Sequence, residues 1–180
     1  MRISNGQFKI DDKSILNYYE IKTNKPKLLL LHAQGTNSLS FMNVVDKLSK
    51  HFHIYLVDYY GHGKSSFNRE KYNLIGIGND IIKFIEEVIK DNVSILGHSS
   101  GGLIASYIAS NCELCSGLIL EDPPFFASVG DRRFNTYNYL DLSTVCHNFI
   151  SQDEIKDFVY YYFINQYCWN FFPDDSREMI

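Results

Sequence analysis

Val93-Ser94-Ile95-Leu96 leads into Gly97-His98-Ser99-Ser100-Gly101-Gly102, and the reading of that passage decides the fold. The first four residues are mostly apolar and partly β-branched, as in a buried strand. Leu103, Ile104, Ala105, Tyr107, Ile108 and Ala109 follow at helical spacing. A strand therefore turns sharply into a helix, and the turn reads Gly-x-Ser-x-Gly around Ser99. Three fixed positions in five are a modest signal, with a plain small-residue turn as the alternative. The strand before and the helix after give the pattern chemical meaning. A serine hydroxyl is a weak nucleophile until it is held clear of the backbone and offered to a base. A tight strand-to-helix turn does that holding, at the cost of a strained backbone at the serine. Gly97 and Gly101 lack Cβ, so neighbouring chain can pass close to the turn. The helix that opens after Ser99 aims its free N–H groups, and the positive end of its dipole, at the same place.

The 180 residues suit one domain with a sizeable core. Hydrophobic residues make up 45%, with 13 Tyr and 13 Phe, which places the chain among globular proteins. There are 17 basic and 21 acidic residues, and no basic cluster of the kind that tracks phosphates, so nucleic acid is not an expected partner. The longest aliphatic run, Leu28 to Leu31, is too short to span a bilayer. Met1-Arg2-Ile3-Ser4-Asn5-Gly6 lacks the apolar stretch of a signal peptide, and the expected location is the cytoplasm. Cys112-Glu113-Leu114-Cys115 has the spacing of a metal or redox pair, but no second pair matches it and it follows a helix instead of opening one. Reduced, structurally ordinary thiols are expected at Cys112, Cys115, Cys146 and Cys168, and neither metal nor organic cofactor is implied.

From the start, Phe8 to Ile10 and Ile15 to Ile21 read as an antiparallel pair around the turn Asp11-Asp12-Lys13. Lys27-Leu28-Leu29-Leu30-Leu31-His32 is apolar on both faces, as in a central parallel strand covered by helices. The small polar loop Ala33-Gln34-Gly35-Thr36-Asn37-Ser38 follows it. A helix is expected from Ser40 to Phe52 with Phe41, Val44, Val45, Leu48 and Phe52 on one face. His53 to Asp58 is the next buried strand. After it, Gly63-Lys64-Ser65 resembles the end of a phosphate-binding loop, but Asp58 stands where that motif needs glycine, which excludes a nucleotide site. Asn73 caps a helix with Ile81, Ile82, Ile85, Val88 and Ile89 on its apolar face and Lys83, Glu86, Glu87 and Lys90 opposite. Leu118-Ile119-Leu120-Glu121-Asp122 is read as a further buried strand, ended by Pro123-Pro124.

Strand and helix thus alternate at short intervals, the α/β pattern with a mainly parallel, doubly wound sheet. Ligands bind at the carboxyl ends of such strands, where His32, Asp58, Ser99 and Asp122 all fall. The chain divides into a core, residues 1–124, and an aromatic-rich helical segment, residues 125–180. In the second part Ser151-Gln152-Asp153-Glu154 is a capping box, and Tyr160-Tyr161-Tyr162-Phe163 either packs as core or lines an apolar pocket.

Leu28 to Gly35, Asp58 to Ser65, Gly97 to Gly102 and Leu118 to Pro124, in that order and spacing, resemble the first two-thirds of the α/β-hydrolase family. The resemblance covers about Ile15 to Phe126 and implies the α/β-hydrolase fold with the start of a helical cap after Phe125. By position it makes Ser99 the nucleophile. The oxyanion hole would use the backbone N–H of Ser100 and a second from the loop after His32, with Gln34 first and Ala33 next. The family commonly has His-Gly where this chain has His32-Ala33. Asp58 and Gly61-His62-Gly63 are expected to shape the wall of the site, and His32 to support the oxyanion loop by hydrogen bonding. A serine at the turn, rather than the aspartate of epoxide hydrolases and haloalkane dehalogenases, implies attack on an ester or related carbonyl and an acyl-enzyme. The implied partner is a small-molecule substrate, and the aromatic-rich segment after Phe125 suggests that it carries an apolar acyl or aromatic group.

The family order is Ser, then Asp or Glu, then His. Asp122 is the candidate acid, its alternative role being a turn-shaping carboxylate before Pro123. His147 is the one histidine after Ser99 and so the candidate base, although it lies in the cap-like segment and reads equally as a surface or core histidine. His98 is expected to point away from Ser99. The resemblance leaves the final strands and the base unaccounted for. Two explanations compete: a hydrolase truncated at its carboxyl end, or a non-catalytic protein that keeps the pocket and binds a small ligand or partner. Either leaves a sheet edge open for self-association.

Overall fold

The computed structural model describes residues 2–125; the first compact unit of the chain runs Met1–Pro124. Expectations that fall on later residues, His147, the capping box and the aromatic run 160–163 among them, lie outside the described residues.

Six strands form one sheet in the order β1-β2-β4-β3-β5-β6. β1 (Ser4–Lys9) and β2 (Ile15–Ile21) are the antiparallel hairpin. Its first strand starts earlier than Phe8 because pairing continues from Lys9↔Ile15 back to Ser4↔Glu20. β2 runs antiparallel to β4 (His53–Asp58). β3 (Lys27–Leu31) lies parallel to both β4 and β5 (Val93–His98), and β5 lies parallel to β6 (Cys115–Glu121). The fold is therefore α/β with a mixed, mostly parallel sheet.

The run of leucines in β3 has a simple physical reason. Successive side chains of a strand face opposite sides, and this sheet has a core on each. Leu28 and Leu30 pack with Ile54, Leu56, Phe41 and Val45, beside α1 (Met42–Leu48). Leu29 and Leu31 pack with Val57 and Ile95, and beneath α2 (Leu74–Phe84) and α3 (Ser100–Asn111) through Ile81, Phe84, Ile104 and Ile108. Both faces are covered, so both must be apolar.

Three elements differ from expectation. The helix expected from Ser40 to Phe52 begins as a 3-10 turn, Ser38–Phe41, and is α-helical only over Met42–Leu48. The Asn37 side chain caps that turn by accepting from the Leu39 N–H at 2.9 Å. Val44 lies off the core face, 43% exposed, because Phe41 and Val45 already fill it. The helix from Asn73 is capped as expected, with the Asn73 side chain accepting from Gly76 N–H at 2.7 Å. Its last turn, however, widens into a π-turn, Ile85–Ile89, closed by Lys90 N–H on the Ile85 carbonyl at 2.7 Å. Ile85 and Ile89 are both buried in the core, on the apolar face expected for them. Finally, β6 is not a buried strand. It is the edge of the sheet among the described residues, and Leu118 and Ile119 are 40% and 49% exposed. No described helix is long and apolar enough to cross a membrane.

Candidate active site

The turn between β5 and α3 places Ser99 at φ 52° and ψ −118°, a left-handed conformation that costs a residue with a Cβ on the order of 1–3 kcal/mol. Two backbone bonds hold it there: the Ser99 N–H donates to the Glu121 carbonyl at 2.8 Å, and its own carbonyl accepts from Gly102 N–H at 2.8 Å. The glycines are required by contact. A Cβ on Gly97 would lie 2.3 Å from the Gly101 carbonyl oxygen, and one on Gly101 would lie 2.3 Å from that of Leu31. The turn is therefore wedged between β3, β5 and α3 and cannot relax. Among the described residues no side chain caps α3 through Ser99, and none hydrogen-bonds its hydroxyl.

The loop after β3 approaches the same place. His32 is completely buried and stacks on Tyr59, ring centroids 3.9 Å apart. Its Nδ1–H donates to the Ala33 carbonyl at 2.8 Å, and its Nε2 accepts from the Tyr59 N–H at 3.4 Å. Burial lowers its pKa to about 4, so the ring is neutral at pH 7 and serves as a strut. The Ala33 carbonyl also accepts from the Thr36 hydroxyl at 2.9 Å. Gly35 adopts φ +77° and donates its N–H to His62 Nε2 at 3.2 Å. His62 Nδ1–H in turn donates to the Tyr60 carbonyl at 3.0 Å. Sequence reading placed His62 in the wall of the site but missed this tie to the loop carrying Gln34. Its one signal was a histidine set between Gly61 and Gly63.

The turn after β4 is a closed polar knot. Asp58, 1% exposed, accepts from Ser38 N–H at 2.8 Å, Asn17 Nδ2 at 2.9 Å and Lys64 N–H at 3.0 Å. Burial alone would raise its pKa; the bonds from Ser38, Lys64 and Asn17 outweigh that and hold the carboxyl below its ordinary range. The Ser65 hydroxyl donates to the Asp58 carbonyl at 2.6 Å. Within the Gly63-Lys64-Ser65 segment, the Lys64 N–H and the Ser65 hydroxyl thus both donate to Asp58.

Gln34 and Ser100 line one cleft of about 460 Å³, walled by Phe67, Tyr72, Ile77 and Leu103. The structure thus brings Gln34 and Ser100, the residue after Ser99, to one cleft, and Ala33 is buried. His98 is the last, half-buried residue of β5. Asp122 follows β6 at φ 47°, exposed, one residue after the carbonyl that binds Ser99 N–H. His147 lies outside the described residues. Cys112 is buried at the end of α3, Cys115 opens β6, and no group of residues that could hold a metal occurs among the described residues.

Comparison with known proteins bears on the fold that carries these residues. A family model described as the alpha/beta hydrolase fold matches residues 26–145. A Haemophilus influenzae protein that carries an esterase/lipase name is 33% identical over 124 residues, covering 66% of this chain and 43% of that protein. The pimeloyl-[acyl-carrier protein] methyl ester esterase of Yersinia pseudotuberculosis is 37% identical over 93 residues, covering 51% of this chain and 34% of the enzyme. The chain thus spans less than half the length of these two relatives. A hydrolase from Pseudomonas aeruginosa superposes with a TM-score of 0.66 at 23% identity, over 77% of this chain and 52% of that one, which is a likeness of fold. The family match covers two-thirds of the sequence and includes the β3, β4 and β5 turns described above: the chain belongs to the α/β-hydrolase fold family.

Proposed function

We propose that the protein is a serine-dependent hydrolase of an ester or related carbonyl substrate, acting through an acyl-enzyme. The observation that carries this reading is the strained left-handed Ser99, whose hydroxyl no described side chain occupies. Ser99 Oγ attacks the carbonyl carbon and gives its proton to a base. The carbonyl oxygen becomes an oxyanion at the backbone N–H groups of Ser100, the first residue of α3, and of Gln34, with Ala33 the next candidate for the second donor. Collapse expels the protonated leaving group and leaves an ester on Ser99, which water then hydrolyses. Asp122 is the candidate acid and His147 the candidate base. His32 and His62 are both committed to backbone groups and act as struts of the oxyanion loop.

A second reading is a hydrolase-like protein that binds a ligand or partner without turnover. It is favoured by one observation: among the described residues no imidazole hydrogen-bonds Ser99. Labelling of the 180-residue chain with a fluorophosphonate, beside Ser99→Ala, separates the two. Labelling that disappears in the variant supports the enzyme; a folded chain that takes no label overturns it.

A further inference from the structure

We propose that Cys112 and Cys115 are a reversible redox pair, which a small disulfide such as glutathione disulfide closes into an intramolecular bond at the joint between α3 and β6. Their spacing alone carries little, since no second pair matches it. The structure adds placement. The Cys115 N–H donates to the Cys112 carbonyl at 3.1 Å, so Cys112-Glu113-Leu114-Cys115 is a closed β-turn. Such a turn holds its end Cα atoms within about 7 Å, and a disulfide spans about 4.4–6.8 Å between them. Both side chains also belong to one hydrophobic cluster, Cys112 inside it and Cys115 packed against it, so both thiols face the same core. Cys112 leaves α3 in an extended conformation, φ −127° and ψ 115°, which any residue adopts without strain. The Val93 N–H donates to the Leu114 carbonyl at 2.9 Å and pins the turn to the start of β5.

The two thiols differ in access, and that sets the order of events. Cys112 is 7% exposed, whereas Cys115 is only partly buried and donates its S–H to the Gly117 carbonyl at 3.5 Å. Cys115 is the thiol that an oxidant reaches. Its thiolate attacks one sulfur of glutathione disulfide, forms a mixed disulfide and releases one glutathione thiolate. The Cys112 thiolate then attacks the Cys115 sulfur, the bond to glutathione breaks, and the second glutathione leaves. Two protein thiols lose two protons and two electrons, and two glutathiones carry them away. Burial pushes the Cys115 thiol up, so its thiolate is scarce at neutral pH and the exchange quickens as pH rises. The new bond would link the far ends of the two elements that meet at the serine turn. α3 begins at Ser100, and the Glu121 carbonyl at the end of β6 accepts the Ser99 N–H at 2.8 Å.

The test uses the full chain, folded by circular dichroism and fully reduced. It is incubated with glutathione disulfide at about pH 8, its remaining thiols are blocked with iodoacetamide, and a Glu-C digest is read by mass spectrometry. Cleavage after Glu113 separates the two cysteines, so their peptides stay joined only through a disulfide. The expected result is a Cys112–Cys115 link that dithiothreitol reverses. The same link is expected in the double variant Cys146→Ser with Cys168→Ser. Cys112→Ser is expected to trap glutathione on Cys115, at a yield about tenfold above that on Cys112 in the Cys115→Ser variant. A folded chain in which both thiols stay free overturns the pair. So does a link from either of them to Cys146 or Cys168 in its place, or glutathione that stays on Cys115 while Cys112 is present.

Discussion

The turns after β4 and after β5 stand at the carboxyl ends of the two strands that flank β3, yet they are built on opposite terms. After β4 the special residue is Asp58, which is buried, ionised and surrounded by three donors. Its polar capacity is used up in holding chain together. After β5 the special residue is Ser99, whose backbone is strained and whose hydroxyl is left without a described partner. The first turn stores stability in satisfied bonds. The second accepts instability at one residue to keep a group available. A site needs both, and the contrast predicts which substitutions damage the fold and which damage only the chemistry.

The largest effect on stability is expected at the knot. Asp58→Ala strands the buried donors of Ser38 and Asn17, at about 1–3 kcal/mol each, and releases the part-buried Lys64 N–H, so a loss of about 4 kcal/mol is expected in urea unfolding. A loss under about 1 kcal/mol would erase the distinction between the two turns.

Acid should act next. His32 has a folded pKa of about 4 against an ordinary 6.5. Between those values the unfolded chain binds the proton that the native chain refuses, so stability is full above pH 6.5 and falls as pH drops toward 4. The expected loss is on the order of 3 kcal/mol, removed in large part by a neutral isostere such as His32→Gln. The contribution of Asp58, whose pKa is depressed, persists through that window and fades only at lower pH. Chemical denaturation from pH 7.5 to 3.5 separates the two windows.

Ser99→Gly reverses the sign. Glycine accepts φ 52° without a Cβ penalty, and a gain of about 1 kcal/mol is expected together with complete loss of labelling. A variant that loses stability would show that Ser99 contributes to the fold as Asp58 does. His62→Phe is the mildest for the fold, because the Gly35 amide it releases is exposed: under about 1 kcal/mol. Its effect belongs to the site, where a loosened Gln34 is expected to slow labelling about tenfold, with partial recovery in His62→Gln, whose amide oxygen can accept from Gly35.

What the sequence made legible follows from how local each signal is. Leu28 to Leu31 announces a strand buried on both faces because the apolar run itself is the requirement. Gly97-x-Ser99-x-Gly101 announces a sharp turn because the pattern is short and a Cβ on Gly97 would meet Gly101 within it. The Leu31 carbonyl that excludes a Cβ on Gly101, by contrast, comes from β3 and is not legible locally. Leu118-Ile119-Leu120 looks just like the run in β3, but the exposure of a strand depends on what pairs beyond it, which the strand does not encode. The tie between His62 and Gly35 joins residues 27 positions apart, and only the fold brings them together. The same holds for the short α1: its length is set by how quickly the chain must return to β4, where His53 N–H meets the Pro26 carbonyl at 2.9 Å.

The most direct test of the central claim is where a fluorophosphonate becomes attached, read by fragment-ion mass spectrometry of the peptide that contains Ser99 and Ser100. The two hydroxyls are adjacent in sequence, but only Ser99 has the left-handed backbone that lifts it from the turn, while Ser100 Oγ is buried at the first residue of α3. An adduct on Ser99 alone is the predicted result. An adduct on Ser100, or a folded chain that carries none, would contradict the account.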